Sequence, residues 1–537
     1  MRIGLDLDNT LVCYEDVFVR EAKRMGLVGD SWGGSKQQVK KELQSRPGGE
    51  QTWQALQGRV YGLCMGHATL FPGVASFLMR CTQRGDEVFI VSHKTEFGHF
   101  DKTKTPLRSA AINWMEAAGF FDPGRFNLPR ENLFFLETRA EKVRKISALR
   151  LDIFVDDLEE VFLEPDFPLI KKILFNREPD GDCFDFSAEM WSEIENEILG
   201  PITNDQVQFL CAAILHEDIA EASQLKGQGN SRVYRVTTIS GENYALKAYP
   251  DLGVDPRPRL RNEVNACECL NSLDLSPKVI NYDEDLNLAF FEWIEGGAIA
   301  PVESEAITQA LDFIKKLKRL FEDSDVEFAE ASEACLSGED LLSQIRHRLS
   351  VLEGVNNEEL QDSLQKVFMP LWQRAQNWQL ENSSIGLMTG QLPKNKQTLS
   401  PSDFGFHNAL RREDGRLLFL DFEYFGRDDP VKLIADFLWH PAMQLGWKEK
   451  QQWISGTLEI FSDDAELIPR LRAMWPLYGI RWALIMLNEF RRDGWRKRVH
   501  ARQEQQFRSH EIHHTQLNKA LAVCAMLERE GLECPYV

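Results

Sequence analysis

The chain opens with MRIGLDLDNTLV, residues 1–12, in which an apolar run leads into two aspartates. Residues 3–7 predict a buried strand, and Asp6 and Asp8 lie two positions apart at its end. Alternate residues of a strand share a face, so the two carboxylates can meet where the chain turns. Close carboxylates repel each other unless a divalent cation or a shared proton compensates. The segment therefore predicts a catalytic carboxylate pair, with an Asx turn that closes the strand as the alternative.

Two further apolar strands are predicted to end in polar residues. Residues 88–91 are followed by Ser92, and residues 152–155 are followed by Asp156 and Asp157. Adjacent acids after an apolar strand are costly to bury unless they face solvent or a cation. A serine after a strand can bind a phosphoryl oxygen, although it can also cap the next helix.

These motifs, in this order, resemble the haloacid dehalogenase (HAD) superfamily of phosphatases, whose first motif is an apolar strand followed by DxDxT. The resemblance implies that Asp6 is the nucleophile, which becomes an aspartyl-phosphate. It implies that Asp8 is the general acid and base, which protonates the leaving oxygen and then activates water. Thr10 and Ser92 would bind the phosphate.

The resemblance also implies a lysine upstream of the acidic motif that holds the phosphate and the nucleophile. Lys142 is the candidate, because Val143 and Ile146 would face the core behind it. Lys145 is the competitor, and a solvated helix face is the alternative for either lysine. The family binds Mg²⁺, and the ligands here would be Asp6, the carbonyl of Asp8, Asp156 and Asp157.

Length and composition limit the class of protein. A chain of 537 residues exceeds a single core, so two or more domains are expected. The formal net charge of -21 disfavours general binding to nucleic acids or anionic membranes. The sequence contains no run of apolar residues long enough for a membrane span, and no signal peptide precedes the first strand. The ten cysteines form no CxxC pair. We therefore expect reduced thiols and a cytoplasmic protein with small-molecule substrates.

The first 180 residues alternate apolar strands with helical segments, which is typical of a parallel α/β sheet. A mostly helical stretch at about residues 13–85 separates the first two strands and is longer than a crossover helix requires. HAD proteins insert a cap at this point, and a small helical cap suits a small substrate. A final strand is predicted at residues 170–175, and residues 186–205 are predicted to form one helix and a short link.

The second half begins with LKGQGNSRVYRVTTISGENYALKAY, residues 225–249. Residues 232–238 and 243–249 predict a hairpin, and Gly227 and Gly229 precede it. Such glycines let backbone amides approach phosphates, although an ordinary hairpin loop has the same pattern.

Lys247 interrupts the second, otherwise apolar strand of this hairpin. A lysine in that position needs a partner or an anionic ligand. Glu263, in the helical segment that follows, is the predicted partner.

A stronger motif is LSPSDFGFHNALRREDGRLLFLDFEYFGRDDPVKLIADF, residues 399–437. Asp403 and Asn408 have the spacing D-x4-N, and Asp421 follows an apolar strand. The segment resembles the catalytic region of aminoglycoside phosphotransferases and choline kinases, which share the protein-kinase fold. The resemblance implies that Asp403 orients and deprotonates the acceptor hydroxyl, while Asn408 and Asp421 hold Mg²⁺ on the phosphates of ATP.

The same resemblance extends to the rest of this half. A lysine and glutamate pair positions the nucleotide phosphates in kinase-like folds. FFEWIEGG, residues 290–297, resembles the hinge that receives adenine through backbone groups. Asp436 matches the acidic residue that braces the catalytic loop. The candidate nucleotide-binding residues are Gly227, Gly229, Lys247, Glu263, Glu292 and Ile294.

The chain departs from the kinase family in its catalytic loop. Pro401, Ser402 and Asp403 stand where the family usually has His-Gly-Asp. The missing histidine mainly braces the loop, so a kinase fold without transferase activity is the alternative.

A basic segment, residues 488–502, lies in an otherwise acidic protein. A solvated helix face is the simpler interpretation. The alternative is an anion site beside the acceptor pocket, which Trp482, Asn488 and Glu489 would line.

Together these patterns predict two fold classes in one chain. An α/β HAD Rossmann-like domain with a small helical cap is predicted at 1–198. An α+β, two-lobed protein-kinase-like domain is predicted at 205–537, with its N-lobe at about 205–293 and its C-lobe at about 298–537.

The leading functional hypothesis is a bifunctional phosphatase and ATP-dependent hydroxyl kinase that acts on a sugar or related metabolite. The first alternative is a phosphatase regulated by a nucleotide-sensing pseudokinase. The second is nucleic-acid end repair, against which the acidic charge and the lack of a Gly-Lys-Ser/Thr motif argue. The sequence does not distinguish ATP from GTP, and it leaves the oligomeric state open.

Overall fold

The computed structural model describes residues 1–176, 181–225, 231–383, 388–491, 494–495 and 509–537. The chain divides into two compact units, Met1–Ala222 and Ser223–Val537. Within the described residues, no helix is both long and apolar enough to cross a membrane.

Unit 1 is built on a six-stranded sheet. Its strands, with the small pair β2 and β3, are β1 (Arg2–Leu5), β2 (Val12–Cys13), β3 (Thr69–Leu70), β4 (Glu87–His93), β5 (Leu133–Leu136), β6 (Ile153–Asp156), β7 (Lys171–Phe175) and β8 (Phe186–Ala188). Its helices are α1 (Glu15–Arg24), α2 (Lys36–Gln44), α3 (Gly49–Tyr61), α4 (Val74–Arg84), α5 (Leu107–Ala117), α6 (Arg139–Leu149), α7 (Glu159–Phe162), α8 (Trp191–Leu199) and α9 (Asn204–Leu215).

The sheet has the strand order β5-β4-β1-β6-β7-β8, and all neighbouring strands are parallel. The central strands are buried, as in parallel sheets covered on both faces. Leu5 at the end of β1 lies opposite Ile90 of β4 and Val155 of β6. The polar residues that follow these three strands are therefore brought to the same edge of the sheet.

Two features of unit 1 differ from the sequence prediction. Residues 186–188 form the edge strand β8, because they pair with β7 over residues 173–175, and the helix begins only at Trp191. The helical insertion between β2 and β3 consists of α1 to α3 and ends before residue 69, earlier than the predicted limit of about 85. Helix α4 packs on α8 through Phe77 and Trp191 and is the crossover to β4.

The division between the units falls within the next strand, at residues 222 and 223, whereas the sequence placed the boundary between 198 and 205. Helix α9 contacts α4, where the side chain of Arg80 donates a hydrogen bond to Gln206 over 3.1 Å. The buried face of α9, which includes Val207 and Leu210, therefore belongs to the core of unit 1.

Unit 2 combines a second sheet with a helical region. Its strands are β9 (Ile219–Gln224), β10 (Arg232–Thr238), β11 (Asn243–Ala248), β12 (Val279–Asp283), β13 (Leu288–Glu292), β14 (Thr398–Ser400), β15 (Ala409–Arg411), β16 (Leu417–Phe419) and β17 (Gly426–Asp428). Its helices are α10 (Arg259–Asn271), α11 (Ser304–Asp323), α12 (Gly338–Glu353), α13 (Glu358–Ser363), α14 (Met369–Asn382), α15 (Pro430–Trp439), α16 (Trp447–Ile460), α17 (Leu467–Ile485) and α18 (Ser509–Glu530).

The five-stranded sheet has the order β12-β13-β11-β10-β9. Strands β10 and β11 form the predicted hairpin, in which Val233 lies opposite Lys247. Helix α10 follows this hairpin in the chain and buries Glu263. The predicted catalytic motif, residues 399–437, includes two short antiparallel pairs, β14 with β17 and β15 with β16. The apolar side chains of α11, α15 and α17 form a large core in this unit.

Candidate active sites

The first candidate site lies at the carboxyl ends of β4, β1 and β6. Ligands bind at this edge in open parallel sheets. The backbone N–H of Asp6 donates to the carbonyl of Val155 over 2.9 Å, which continues the β1–β6 pairing and directs Asp6 toward Asp156. The side chain of Trp191 donates to the carbonyl of Thr10 over 2.7 Å and fixes the loop that carries Asp8.

Lys142 of α6 joins the two acidic motifs. Its Nζ lies 2.6 Å from Oδ1 of Asp6 and 2.6 Å from Oδ2 of Asp156, and all three side chains are buried. Lys145 instead lies over the ring of Phe134. Of the two lysines that the sequence left open, the structure therefore brings Lys142 to the predicted nucleophile.

The acids in this site carry more negative charge than Lys142 can balance. Burial, assisted by the charges of Asp156 and Asp8 and opposed by Lys142, raises the pKa of Asp6 to about 7. Burial and then the charges of Asp156 and Asp6 raise the pKa of Asp157 well above its ordinary range. Carboxylate oxygens are the preferred ligands of Mg²⁺, so a divalent cation would offset the excess negative charge of these acids.

Asp8 has two partners that the sequence analysis missed. The hydroxyl of Tyr14 donates to Oδ1 over 2.5 Å, and Nζ of Lys94 donates to Oδ2 over 2.6 Å. Burial and then the charge of Asp8 raise the pKa of Tyr14, so its hydroxyl stays protonated and donates. Lys94 directly follows β4, and its local sequence does not distinguish it from an exposed lysine. Both contacts are made by the side-chain carboxylate of Asp8. They do not involve its backbone carbonyl, whose role as a metal ligand remains a prediction.

The two predicted phosphate-binding hydroxyls are both buried. The Oγ of Ser92 has no hydrogen-bond partner among the described residues, although its side chain is only 1% exposed. The hydroxyl of Thr10 donates to Oδ1 of Asp157 over 3.4 Å. The hydroxyl of Ser92 could therefore donate a hydrogen bond to a phosphoryl oxygen. Thr10 instead connects the first motif to the acidic motif.

Replacing Lys94 with Met should lower kcat for hydrolysis of p-nitrophenyl phosphate by about ten- to a hundredfold, because Asp8 loses a contact that fixes its orientation. The measurement is phosphate release with Mg²⁺ at saturating substrate. Replacing the exposed Lys102 with Met is the matched control and should leave kcat unchanged. Equal rates for the two variants would show that Lys94 does not position Asp8.

The second candidate site centres on Lys247 of β11. Its Nζ lies 2.6 Å from Oε2 of Glu263 and 2.6 Å from Oδ1 of Asp421. Glu263 also accepts a hydrogen bond from the hydroxyl of Tyr249 over 2.8 Å. The structure thus brings together the predicted pair and the predicted metal aspartate, which are far apart in the sequence.

Glu423 is a further acid in this site that the sequence analysis did not select. Its Oε2 lies 3.3 Å from Nζ of Lys247, and its other oxygen pairs with Arg259 of α10. Burial, assisted by Glu423 and Glu263 and opposed by Lys247, raises the pKa of Asp421 to about 7. The sequence signal that could have identified Glu423 is its position two residues after Asp421.

The charges of this second cluster fit a metal-bound nucleotide. Three carboxylates, those of Glu263, Asp421 and Glu423, face two cationic side chains, Lys247 and Arg259. Glu263, Asp421 and Glu423 also lie close enough to one another to share a cation. The excess negative charge can accept a divalent cation, and Lys247 can accept a phosphate oxygen.

Asp403 and Asn408, the predicted catalytic-loop residues, are in contact. The side-chain amide of Asn408 donates to the carbonyl of Asp403 over 3.0 Å, and the backbone N–H of Leu420 donates to the carbonyl of Asn408 over 2.8 Å. These bonds connect the loop to the strand that leads to Asp421. Burial raises the pKa of Asp403, but the hydrogen bond with His407 and the electrostatic effect of His407 and His440 outweigh burial and lower the pKa to about 2.

The departure at 401–402 has a structural consequence. Ser402 has a φ of 68°, in the left-handed region that favours glycine, where the kinase family has glycine. Lys432 of α15 donates to the Ser402 hydroxyl over 2.9 Å, and this hydroxyl donates to the carbonyl of Ser332 over 3.2 Å. Side-chain contacts of Ser402 therefore hold the loop in a conformation that glycine would adopt without strain.

The remaining predicted residues are only partly described. Glu292 ends β13, and its backbone N–H donates to the carbonyl of Lys278 over 2.9 Å; Ile294 follows it and is half-buried. Asn488 accepts a hydrogen bond from Arg348 over 2.8 Å. Gly227, Gly229 and most of the basic segment (Arg492 and residues 496–502) lie outside the described residues.

An ion-pair network of a partly exposed glutamate and two buried arginines lies beside the predicted catalytic loop. Glu333 accepts from Arg348 over 2.7 Å and from Arg481 over 3.0 Å. Burial raises the pKa of Glu333, but the charges of Arg481 and Arg348 outweigh it and lower the pKa to about 2. Arg481 also pairs with Asp436, whose carboxylate accepts a hydrogen bond from the indole of Trp482 over 2.7 Å.

Replacing Glu333 with Gln should lower the free energy of unfolding at pH 7 by about 1–2 kcal/mol, since the carboxylate is partly exposed to solvent screening. The folded-state pKa lies below the ordinary value of about 4.3. The stabilisation is therefore present above that value and is lost as the pH falls toward about 2. Urea unfolding at pH 7 and pH 3 measures the change. A difference that does not shrink at pH 3 would contradict the ion-pair account, and the exposed Glu339→Gln is the matched control.

No family model and no curated protein matches the chain. Among solved structures, part of the chain is similar to small-molecule kinases. Choline kinase LicA from Streptococcus pneumoniae is 15% identical over 60% of this chain and 98% of its own, with a TM-score of 0.41. A choline/ethanolamine kinase family protein from Mesorhizobium loti is 18% identical over 57% of this chain and 93% of its own, with a TM-score of 0.36.

An ethanolamine kinase from Plasmodium vivax is 14% identical over 62% of this chain and 92% of its own, with a TM-score of 0.38. At these identities and TM-scores, the similarity does not identify the substrate or the activity of this chain. The proposed function therefore rests on the geometry of the two sites.

Proposed function

We propose that the chain is a bifunctional small-molecule enzyme, with a HAD-type, Mg²⁺-dependent phosphatase in unit 1 and an ATP-dependent hydroxyl kinase in unit 2. The observation that carries the proposal is the same arrangement in both units. A buried lysine pairs with two acids from distant segments: Lys142 with Asp6 and Asp156, and Lys247 with Glu263 and Asp421. Charged side chains are costly to bury, and clusters of buried charged groups with shifted pKa values are concentrated at functional sites.

In unit 1, Lys142 orients the carboxylate of Asp6 for attack on the phosphorus of a phosphate monoester. Asp8 protonates the leaving oxygen and then removes a proton from the water that cleaves the aspartyl-phosphate. Tyr14 and Lys94 hold Asp8 in place during both steps. Mg²⁺, when bound by Asp6, Asp156 and Asp157, would offset the charge of the phosphate and the acids.

In unit 2, Lys247 binds the phosphates of ATP and is itself held by Glu263. Asp403 accepts the proton of the acceptor hydroxyl as the terminal phosphate is transferred. Mg²⁺, when bound by Asn408 and Asp421, would neutralise the phosphate charge. A sugar or related metabolite is the acceptor class that we propose, with small-molecule substrates for both sites.

A phosphoryl-transfer screen tests the proposal. The Asp6→Asn protein is incubated with radiolabelled ATP, Mg²⁺ and a panel of sugars, sugar acids, amino alcohols and nucleosides. The substitution prevents the phosphatase from removing the label. A labelled acceptor is the expected result, and its phosphate ester is then tested as a substrate of the wild-type phosphatase.

The alternative is a kinase fold that senses nucleotide and regulates the phosphatase, and Pro401 in the catalytic loop favours it. ATP binding without transfer to any acceptor, together with hydrolysis of p-nitrophenyl phosphate that changes when ATP is added, would support that alternative. Competition between ATP and GTP for binding identifies the preferred donor.

A further inference from the structure

A lysine of the helical insertion in unit 1 reaches the first motif. Lys36 is the first residue of α2, and its Nζ donates a hydrogen bond to the side-chain oxygen of Asn9. Asn9 directly follows Asp8, the proposed general acid. The backbone N–H of Lys36 also donates to Oε2 of Glu15 over 3.2 Å, which connects the start of α2 to the start of α1. The insertion therefore places a cation beside the loop that carries Asp8.

The cation of Lys36 has no acidic partner. An ammonium group has three N–H donors. In the part of the chain that the structure describes, Nζ donates only to the neutral amide of Asn9, and Lys36 forms no ion pair with a carboxylate. The lysines of the two candidate active sites differ in this respect, because Lys142 and Lys247 each lie 2.6 Å from two carboxylates. Lys36 is thus a positive charge whose remaining donors are available to a ligand.

The pKa values of these lysines are shifted in opposite directions. Burial lowers the pKa of Lys142 and of Lys247, but their carboxylate partners outweigh burial and raise both pKa values. Burial also lowers the pKa of Lys36, and the charges of Glu15 and Asp157 offset it only in part. A buried charge is costly unless an opposite charge compensates it. A bound anion would supply that opposite charge at Lys36.

Aromatic side chains hold the ammonium of Lys36 in place. Its Nζ lies 4.8 Å from the centroid of the Phe18 ring. That ring is fully buried, stacks on Trp53 with centroids 5.0 Å apart and meets the edge of Tyr61 at 5.8 Å. These rings belong to α1 and α3, so the core of the insertion sets the position of the cation. A cation–π contact stabilises an ammonium but provides no acceptor for its N–H groups.

The proposed mechanism defines which part of a substrate faces the insertion. Asp6 attacks the phosphoryl group, whereas Asp8 donates a proton to the leaving oxygen. Tyr14, which directly precedes α1, donates to Asp8, and Lys36 of α2 donates to Asn9. The side of the first motif that carries Asp8 therefore faces the insertion, and a leaving group bound at Asp8 would extend toward Lys36.

We propose that Lys36 binds an anionic group on the leaving portion of the phosphatase substrate. The substrate class is then a phosphate monoester with a second acidic group, either a carboxylate, as in a sugar acid, or a second phosphate. The inference rests on the proposed phosphatase function of unit 1 and extends it to substrate recognition. A lysine that only fixed the left-handed conformation of Asn9, with its φ of 60°, would instead affect all substrates alike.

Matched substrates test the proposal. Glucose 1-phosphate, glucuronate 1-phosphate and glucose 1,6-bisphosphate differ only at the sixth carbon, and glycerol 3-phosphate and 3-phosphoglycerate differ only at one terminal carbon. The measurement is kcat/KM for each compound with Mg²⁺, in wild type and in Lys36→Met. We expect wild type to favour an acidic member of a series over the neutral one by at least about tenfold, the effect of one hydrogen bond between charged groups, and Lys36→Met to lose that preference. The first series also shows whether a carboxylate or a phosphate is recognised.

Further variants separate the charge of Lys36 from its hydrogen bond. Lys36→Arg keeps the cation and should retain most of the preference, whereas Lys36→Gln keeps a donor for Asn9 without the charge and should lose it. Lys40→Met, at an exposed lysine one turn further along α2, is the matched control and should leave the preference unchanged. An unchanged preference in Lys36→Met, equal losses for acidic and neutral substrates, or no preference in wild type would overturn the proposal.

Binding without turnover separates this inference from the proposed function. Affinities for the same compounds are measured by calorimetry, with Mg²⁺, in Asp6→Asn and in the double variant that adds Lys36→Met. Tighter binding of an acidic compound that depends on Lys36 supports the inference even if wild type hydrolyses none of them, and that lack of hydrolysis would contradict only the phosphatase function. Equal affinities in the two proteins, together with hydrolysis by wild type, would overturn only the role of Lys36.

Discussion

Replacing Asp6 with Asn should reduce Mg²⁺-dependent hydrolysis of p-nitrophenyl phosphate by at least about 10³-fold, because an amide cannot act as the nucleophile. The substitution also removes one of the two acids that pair with Lys142, so the lysine would remain bound to Asp156 alone. Phosphate release is measured at saturating Mg²⁺, with substrate varied to separate kcat from KM.

The control for this substitution is Asp122→Asn in an exposed loop of the same unit, where the carboxylate accepts a hydrogen bond from the backbone N–H of Gly124. Hydrolysis by that variant should equal wild type. ATP binding, followed by calorimetry, should be the same in all three proteins, because Asp6 is far in sequence from the unit 2 cluster and belongs to another compact unit. Undiminished hydrolysis by Asp6→Asn would exclude Asp6 as the nucleophile.

The edge of the parallel sheet could be predicted because its strands are continuous apolar runs that each end in a polar residue. Parallel strands bring such ends to one edge. The sequence therefore grouped Asp6, Ser92 and Asp156, and the structure has them on the adjacent strands β1, β4 and β6. Lys142 could be selected because Val143 and Ile146 fixed the buried side of α6.

The partners of Asp8 could not be predicted, since their burial depends on contacts between distant segments. Lys94 follows a strand and has the pattern of an exposed lysine, yet it is buried beside the ring of Tyr61 from α3. Tyr14 precedes α1 and has the pattern of a core residue. Only the folded insertion brings both side chains to the carboxylate of Asp8.

Short secondary-structure elements also could not be predicted from the sequence. Strand β8 has three residues, and its extended conformation results from pairing with β7, so no local periodicity distinguishes it from a helix start. In unit 2 the hairpin was predicted within one residue, because alternating burial and a Ser-Gly turn are local signals. The stack of His407 on His440 joins residues 33 positions apart on separate elements, and neither histidine stood out alone.

Replacing Asp403 with Ala should abolish transfer of phosphate from ATP to the acceptor, with a loss of at least about 10³-fold in kcat. The alanine has no group to accept the hydroxyl proton, and Nε2 of His407 would lose its hydrogen-bond partner, Oδ1 of Asp403. Affinity for ATP should not change, because Lys247 and Asp421 keep their contacts. Transfer is measured with labelled ATP, and ATP binding by calorimetry.

Asp414→Ala, in the exposed turn between β15 and β16, is the matched control, since its carboxylate pairs with the neighbouring Arg416. Persistent transfer by Asp403→Ala would exclude Asp403 as the base. The comparison also separates the enzyme from the nucleotide sensor. In a sensor, wild type and Asp403→Ala would bind ATP equally and neither would label an acceptor, whereas in a kinase only wild type and Asp414→Ala would do so. The difference between these variants therefore decides whether the loop that carries Pro401 supports phosphate transfer.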